Sequence, residues 1–195
     1  MLFTLTRPPA ASLRRLVETQ RSLGFSYPEV GATRGEPPRH ADRDHNRTLL
    51  GHGDAVFAAA REAIRGWRMF DLGWLEIVPP DLIREGECAV MVTRTLGLWS
   101  ANVTRVVYVV DEEDAFGFAY GTLPHHAESG EERFLVERGP DGSVTYDILA
   151  FSRPESPIVR LCKPLARALQ RRFARDSMAA MRSAVAHSGG PIGGL

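Results

Sequence analysis

Apolar side chains recur at helical spacing in two segments of the first half of the chain. In residues 9–23 an apolar face is formed by Leu13, Leu16 and Val17. In residues 54–68 a wider apolar face is formed by Phe57, Ala60, Ile64 and Trp67. Both patterns are typical of amphipathic helices that rest one side on a core. The sequence therefore predicts two early helices, and Asp54 is expected to cap the second one.

Six segments in the middle of the chain are rich in Val, Ile, Tyr, Phe and Thr, and short polar turns separate them. These predicted strands are residues 74–79, 87–96, 101–111, 115–123, 131–138 and 143–152. Connections this short favour antiparallel pairing, because a parallel crossover needs roughly a dozen residues or more. We expect a meander. Residues 31–46 and 124–130 are interpreted as loops, since Gly, Pro and polar residues dominate them without periodicity.

A long apolar stripe at helical spacing predicts a helix over residues 157–186, with Pro164 either at its start or at a kink. A sheet with one apolar face needs a cover, and this helix is the best candidate. The predicted fold class is α+β, with a curved antiparallel β-sheet wrapped around a long C-terminal α-helix and short helices before it. We expect one domain over residues 1–187 and a flexible Gly-rich tail over residues 188–195.

Composition and charge narrow the class of protein. The 195 residues are 44% hydrophobic and 25% charged, which is typical of a globular domain with a real core. The 24 basic and 24 acidic residues cancel, which argues against a nucleic-acid partner. No apolar stretch approaches a membrane span or a signal-peptide core, so we expect a cytoplasmic protein with no stable membrane insertion. Cys88 and Cys162 are expected to be reduced thiols.

A set of short motifs resembles one uncharacterised family. The motifs are Arg105-Val-Val-Tyr108, Gly117-Phe-Ala-Tyr-Gly-Thr-Leu-Pro124, His126, Glu128, Gly130-Glu-Glu-Arg-Phe134, Tyr27-Pro28, Gly31-Ala-Thr33, Leu50-Gly51-x-Gly53 and Phe151-Ser-Arg-Pro154. Together they resemble the domain-of-unknown-function family numbered nineteen-ninety, found in bacteria and plants, over roughly residues 20–186. His125 and Ala127 depart from the family pattern, which tends to have a small residue such as Gly and a Pro at these positions.

The family is grouped with the START-like (SRPBCC) superfamily. The resemblance therefore implies the helix-grip fold, with a cavity between the sheet and the C-terminal helix. Relatives in the superfamily bind lipids, sterols, plant hormones or polyketide intermediates, and a few catalyse cyclisation or hydrolysis. For the family itself the resemblance implies no settled activity. The expected partner is a small hydrophobic or amphipathic molecule, and no cofactor is predicted.

Polar groups on the predicted strands are the candidates for ligand binding. Tyr120 and Thr122 share one bulky face of their strand, while Gly121 lies on a nearly bare opposite face, which lets a helix or ligand approach or simply relieves curvature. Arg105 shares its face with Val103, Val107 and Val109. A guanidinium there needs a partner, either Glu131 or Glu132 or an anionic group of a ligand. The ligand-binding candidates are Arg105, Tyr120, Thr122 and Glu131.

Residues 125–132 hold the densest group of chemically useful side chains. His126 with Glu131 or Glu132 could exchange protons at a pocket mouth, because burial raises the pKa of a carboxyl group. The alternative is a solvated hairpin loop. The spacing lacks the HExxH or HxH pattern of a zinc site, so no metal is predicted. Three functions stay open: a ligand binder, an acid/base cyclase or hydrolase, and a structural or interaction protein with a filled cavity.

Charge is distributed unevenly between the predicted elements. Residues 108–155 hold 11 acids against three arginines, and residues 158–187 hold seven basic residues and one acid. A basic amphipathic helix can lie on a membrane surface or simply have a solvated outer face. The distribution also predicts charge complementarity between the sheet and the last helix.

Overall fold

The computed structural model describes residues 2–95, 97–124, 126, 128–154 and 163–188. Their strands are β1 (Leu2–Thr4), β2 (Asp42–His52), β3 (Leu75–Val78), β4 (Cys88–Thr95), β5 (Leu98–Asp111), β6 (Ala115–Thr122), β7 (Glu128–Arg138) and β8 (Ser143–Pro154). The α-helices are α1 (Ala10–Gln20), α2 (Asp54–Arg65) and α3 (Lys163–Ser188). Short 3-10 turns occur at Ala32–Arg34 and Arg68–Phe70.

A single antiparallel sheet carries the strands in the order β2-β8-β7-β6-β5-β4-β3, and β1 pairs with β5. Strands β3 to β8 follow one another as a meander, as the short connections predict. The curved sheet and the C-terminal helix confirm the predicted α+β helix-grip class.

Strand β2 corrects the interpretation of residues 31–46 as a loop, because the strand begins at Asp42 and pairs with β8 at the edge of the sheet. Its burial alternates residue by residue, yet both faces are polar in its first half. The half-buried face holds Asp42, Asp44, Asn46 and Thr48. Since apolar residues do not mark the inner face, the period of two is not visible as a hydrophobic pattern.

The inner face of the sheet is covered by α2 and α3. Phe118, Phe134 and Tyr146 are fully buried there, and they share one core with Ile64 of α2 and Met181 of α3. Aromatic rings of the neighbouring strands β6 and β7 pack with their centroids 5.3 and 5.6 Å apart on this face. Burial of such rings is a dominant source of core stability, so α2 and α3 are fixed against the sheet.

The outer face is covered by α1 and by the segment that follows it. Leu13 of α1 packs on Val92, Ala101 and Val103 of strands β4 and β5. A bulge in β5 between Val106 and Tyr108 adds one residue to the strand, so the residues after it point to the face opposite to that expected from simple alternation. With α2 and α3 on the inner face and α1 on the outer face, the middle strands are covered on both sides.

The helix ends differ from the sequence prediction at specific residues. The predicted second helix stops at Arg65, since Gly66 follows it and Trp67 has a left-handed φ of 54°. Asp54 is not the N-cap residue, because Gly53 takes that position, and the Asp54 carboxylate pairs with Arg138. Pro164 lies in the first turn of α3, where a proline is tolerated. Residues 157–162, with Cys162, and the tail beyond Ser188 lie outside the described residues.

Candidate functional site

A cavity of about 320 Å³ lies between the inner face of the sheet and α3. Most of its wall is apolar and is formed by Trp74, Leu75, Met91, Ile148, Ala150, Leu169, Phe173 and Ala174. Its polar lining includes Asp44, Asn46, Tyr120, His126, Glu128, Glu132 and Gln170. Apolar walls with a few placed polar groups are typical of small-molecule sites, whose volumes begin at about 300 Å³. This volume corresponds to about ten non-hydrogen atoms, since one water fills about 30 Å³ of liquid.

Glu132 and Tyr120 form the polar centre of the cavity, as their paired positions on β7 and β6 require. The Tyr120 hydroxyl donates a hydrogen bond of 2.7 Å to Oε2 of Glu132. Burial raises the pKa of Glu132 to about 7, against the opposing effect of the Tyr120 hydrogen bond. The negative charges of Glu128 and Asp44 raise it further. A carboxyl group that titrates near neutrality can act as an acid or as a base.

Two more carboxylates line the cavity near α3. The Gln170 side-chain amide donates to Glu128 at 2.8 Å, and burial raises the pKa of Glu128. Arg167 of α3 forms a two-pronged ion pair with Asp44 of β2. Arg167 and Asp44 supply, at this rim, the charge complementarity between sheet and helix that the sequence predicts.

His126 also lines the cavity, and its neighbours define its hydrogen positions. Its Nδ1 accepts a hydrogen bond of 3.2 Å from the backbone N–H of Glu128, which places the proton of a neutral ring on Nε2. That Nε2 is buried and has no hydrogen-bond partner among the residues that the structure describes. Burial lowers the pKa of His126 to about 4, so the ring is neutral at pH 7. His125 and Ala127 lie outside the described residues.

The carboxylate of Glu131 bonds on the outer face, away from Glu132. Tyr27 Oη and the Gly31 N–H each donate to it at 2.7 Å, and the Thr33 N–H donates at 2.9 Å. The Thr33 hydroxyl supplies a fourth, short hydrogen bond. The turn depends on Gly31, whose φ of 85° favours glycine. Glu131 is also among the residues that line the cavity, but its carboxylate is saturated with these donors. The Glu132 carboxylate instead receives the hydrogen bond of Tyr120, so of the two predicted carboxyl proton carriers Glu132 is the one with capacity left for a ligand.

Gly121 makes room for this arrangement. It lies opposite Glu131 in the pairing of β6 with β7. A Cβ at this position would lie 2.1 Å from Oη of Tyr27. The bare position predicted at Gly121 is thus occupied by Tyr27. We call Tyr27, Gly31, Thr33 and Glu131 the Glu131 clasp.

Thr122 lies at the edge of the cavity, but its hydroxyl is engaged in the fold. Its Oγ1 accepts from the Gly130 N–H at 2.9 Å and lies 2.6 Å from the Ser26 hydroxyl. Thr122 therefore ties the β6–β7 hairpin to the segment over the outer face.

Arg105 lies on the outer face with Val103. Its guanidinium donates to the carbonyl oxygens of Arg21 and Leu23, both at 2.9 Å, and covers the ring of Phe25 at 4.2 Å. The predicted pairing with Glu131 or Glu132 is wrong, because the guanidinium meets backbone carbonyls instead. Arg105 is also not among the described residues that line the cavity. The bulge turns Val109 to the inner core, so Val109 does not share the Arg105 face.

Asp44, Asn46 and Gln170 line the cavity, and the sequence analysis does not identify them as site residues. Asp44 and Asn46 lie at half-buried positions that alternate with exposed ones along β2. Because these half-buried residues are polar, the alternation does not produce a hydrophobic pattern in the sequence. In the part of the chain that the structure covers, no group of three or more His, Cys, Asp or Glu is placed to hold a metal ion. No helix in that part is long and apolar enough to cross a membrane.

A curved sheet, a C-terminal helix and a cavity between them define the helix-grip class. The fold is similar to that of a hypothetical protein from Helicobacter pylori, with a TM-score of 0.56 at 12% identity, covering 85% of this chain and 96% of that one. It is also similar to the ZhuI aromatase/cyclase from Streptomyces, with a TM-score of 0.55 at 10% identity, covering 80% and 100%. Human STARD10 gives a TM-score of 0.51 at 13% identity, covering 93% and 81%. At these identities the likeness shows the fold alone.

The family follows from sequence comparison. The family model described as Domain of unknown function (DUF1990) matches residues 26–180, and the chain belongs to that family. A UPF0548 protein of Deinococcus radiodurans is 39% identical over 188 residues, which cover 89% of this chain and 94% of that protein. A UPF0548 protein of Dictyostelium discoideum is 31% identical over 207 residues, covering 94% and 96%. The family resemblance seen in the sequence motifs is confirmed.

Proposed function

We propose that this protein is a cytoplasmic binder of a small, largely apolar molecule. The apolar body of the ligand lies in the cavity under α3, and its polar end meets Tyr120 and Glu132. One observation carries this proposal: a cavity of about 320 Å³ with mostly apolar walls surrounds a buried carboxyl group. The space argues against a structural protein whose cavity is filled by its own side chains, because it accommodates about ten non-hydrogen atoms.

The test is to fill the cavity and measure what is lost. Ala150 lines the cavity opposite Glu132 in the pairing of β7 with β8. We expect native mass spectrometry of protein purified from its own host to show a bound small molecule, which Ala150→Phe removes. Ala186→Phe is the matched control, since Ala186 is exposed near the end of α3. The free wild-type protein is also expected to bind 2-naphthol, an apolar ring with one hydroxyl, in calorimetry.

A wild-type protein that carries no molecule from its host and does not bind 2-naphthol would contradict the proposal. Retention of the ligand by a folded Ala150→Phe variant would place binding elsewhere. Circular dichroism of both variants separates loss of binding from loss of the fold.

One observation supports an enzyme as a second candidate. The pKa of Glu132, raised to about 7, suits proton transfer on a bound substrate by a cyclase or hydrolase. One fold neighbour is itself described as an aromatase/cyclase. Glu132 is the proposed proton carrier, with His126 as its companion on the cavity wall. If the protein is an enzyme, the molecule recovered from Glu132→Gln differs in covalent structure from the one recovered from the wild type. Identical molecules would favour simple binding.

A further inference from the structure

The carboxylates of the cavity differ in how their charge is compensated. Asp44 has a cationic partner in Arg167. The hydrogen-bond donors that reach Glu128 and Glu132 in the described structure are neutral: the Gln170 amide and the Ser152 hydroxyl at Glu128, and the Tyr120 hydroxyl at Glu132. Burial raises the pKa of Glu128 and the positive charge of Arg167 opposes that rise, whereas burial and neighbouring negative charges both raise the pKa of Glu132. A buried carboxylate is costly without a positive partner, and Glu132 bears this cost most directly. An anionic ligand would add a further negative charge to this wall.

A ligand can supply the missing positive charge. A protonated amine offers N–H donors to a carboxylate, and charge-assisted hydrogen bonds are stronger than neutral ones. The lining beside Glu132 suits the rest of such a molecule, because Tyr120, Met91 and Phe173 present aromatic and thioether groups. His126 is neutral at pH 7 and adds no competing positive charge.

We infer that the cavity selects an amphiphilic amine, with the protonated amino group at Glu132 and the apolar body against α3. This inference rests on the proposed function and names the class of its ligand. It replaces the anionic ligand end that the sequence suggested for Arg105, since the guanidinium of Arg105 lies on the outer face. The volume has room for an eight-carbon amine, which has nine non-hydrogen atoms.

Three probes with the same eight-carbon chain isolate the head group: octylamine, 1-octanol and octanoate. Binding of each is measured by calorimetry at pH 8, where Glu132 is mostly ionised and an alkylamine is protonated. We expect octylamine to bind at least about tenfold more tightly than 1-octanol, which corresponds to one charge-assisted hydrogen bond. Octanoate is expected to bind most weakly.

Glu132→Gln removes the charge and keeps the shape of the side chain. We expect it to bring the ratio of the octylamine and 1-octanol affinities to about one. Glu137→Gln is the matched control, because Glu137 lies on the same strand, pairs with Arg47 and does not line the cavity. This control should keep the wild-type ratio.

The outcomes separate the inference from the proposed function. Equal affinities of the wild type for octylamine and 1-octanol overturn the inference and leave the proposed function standing. Tightest binding of octanoate overturns it in favour of a cationic site. A preference for octylamine that survives in Glu132→Gln also overturns it, since the amine would then bind elsewhere. If none of the three probes binds, both the inference and the proposed function fail.

Discussion

Glu131 and Glu132 are consecutive residues of one strand, and the strand directs their carboxylates to opposite faces of the sheet. On the outer face, the Glu131 clasp surrounds a carboxylate with four hydrogen-bond donors. On the inner face, Glu132 receives a hydrogen bond from Tyr120 and faces a cavity. The two residues have the same chemistry, so their surroundings alone distinguish them.

The comparison separates groups that hold the fold from groups that are ready to bind. A buried carboxylate with all its oxygens bonded has no capacity left for a ligand, whereas one at a cavity wall retains it. Many residues behind the family resemblance belong to the first kind: Tyr27, Gly31, Thr33, Gly121 and Glu131 all take part in the clasp or make room for it. Many of the residues that mark the family therefore hold the segment with Tyr27, Gly31 and Thr33 against the outer face of the sheet.

The largest expected effect comes from breaking the clasp. Glu131→Gln replaces one carboxylate oxygen with an N–H₂ group, which cannot accept the hydrogen bonds that this oxygen receives in the wild type. Each buried group left unsatisfied costs about 1–3 kcal/mol. We expect the free energy of unfolding to fall by about 4 kcal/mol for all the groups left unsatisfied in the clasp. Urea denaturation at pH 5 measures it, with Glu132→Gln as the matched control on the next residue. At that pH Glu132 carries its proton, so the control should change stability by less than about 1 kcal/mol.

Equal losses in the two variants would contradict the distinction between the two faces. Because Glu131→Gln could prevent folding altogether, Tyr27→Phe provides a milder version. It removes one donor to a charged acceptor and keeps the ring, so we expect it to cost about 1.5–3 kcal/mol.

The second largest expected effect is a pH dependence of the folding stability, which arises from Glu132 on the inner face. The pKa of Glu132 rises from 4.5 to about 7 in the folded protein, so the folded state holds this proton more tightly than the unfolded state. The contribution of Glu132 to stability is therefore greatest below pH 4.5 and falls as the pH rises through 7, by at most about 3 kcal/mol. Glu132→Gln removes this loss. The variant is expected to match the wild type at pH 4 and to exceed it in stability at pH 8.

Glu128 and Asp44 interact with the charge of Glu132, as do the hydroxyl groups of Tyr120 and Tyr146. Comparing the wild type with Glu132→Gln cancels contributions from other groups to first order. The lowered pKa of His126 acts in the opposite direction, destabilising the fold as pH falls from about 6.5 to 4. Parallel stability curves for wild type and Glu132→Gln between pH 4 and 8 would show that Glu132 has an ordinary pKa.

The fold could be predicted wherever a face of an element is apolar. Strands β3 to β8 and the C-terminal helix follow from hydrophobic pattern and short turns. Strand β2 could not be predicted in the same way, because Asp44 and Asn46 stand where an apolar inner face would appear. Asp44 and Asn46 are polar groups of the cavity wall. The same two residues therefore interrupt the hydrophobic pattern by which the strand would have been predicted.

The candidate site could be predicted only in part. The sequence predicts Tyr120 and Glu131 among the ligand-binding residues, whereas the structure pairs Tyr120 with Glu132. Alternation along β7 separates Glu131 from Glu132, but which face lies inside depends on pairing with distant strands. The bulge in β5 adds a shift that spacing does not show, and it removed Val109 from the face of Arg105. Long-range register, not local pattern, decides these positions.

The smallest expected effect tests Arg105, whose placement on the outer face separates it from the ligand. Arg105→Leu removes two hydrogen bonds to backbone carbonyls and a cation–π contact with Phe25, so we expect a loss of about 1–2 kcal/mol of stability. Arg105→Lys keeps the charge and should lose less. Affinity for 2-naphthol should stay within about twofold of the wild type in both variants, because neither side chain reaches the cavity. A tenfold loss of affinity at unchanged stability would instead make Arg105 a ligand anchor, and the division of roles between the two faces would then be wrong.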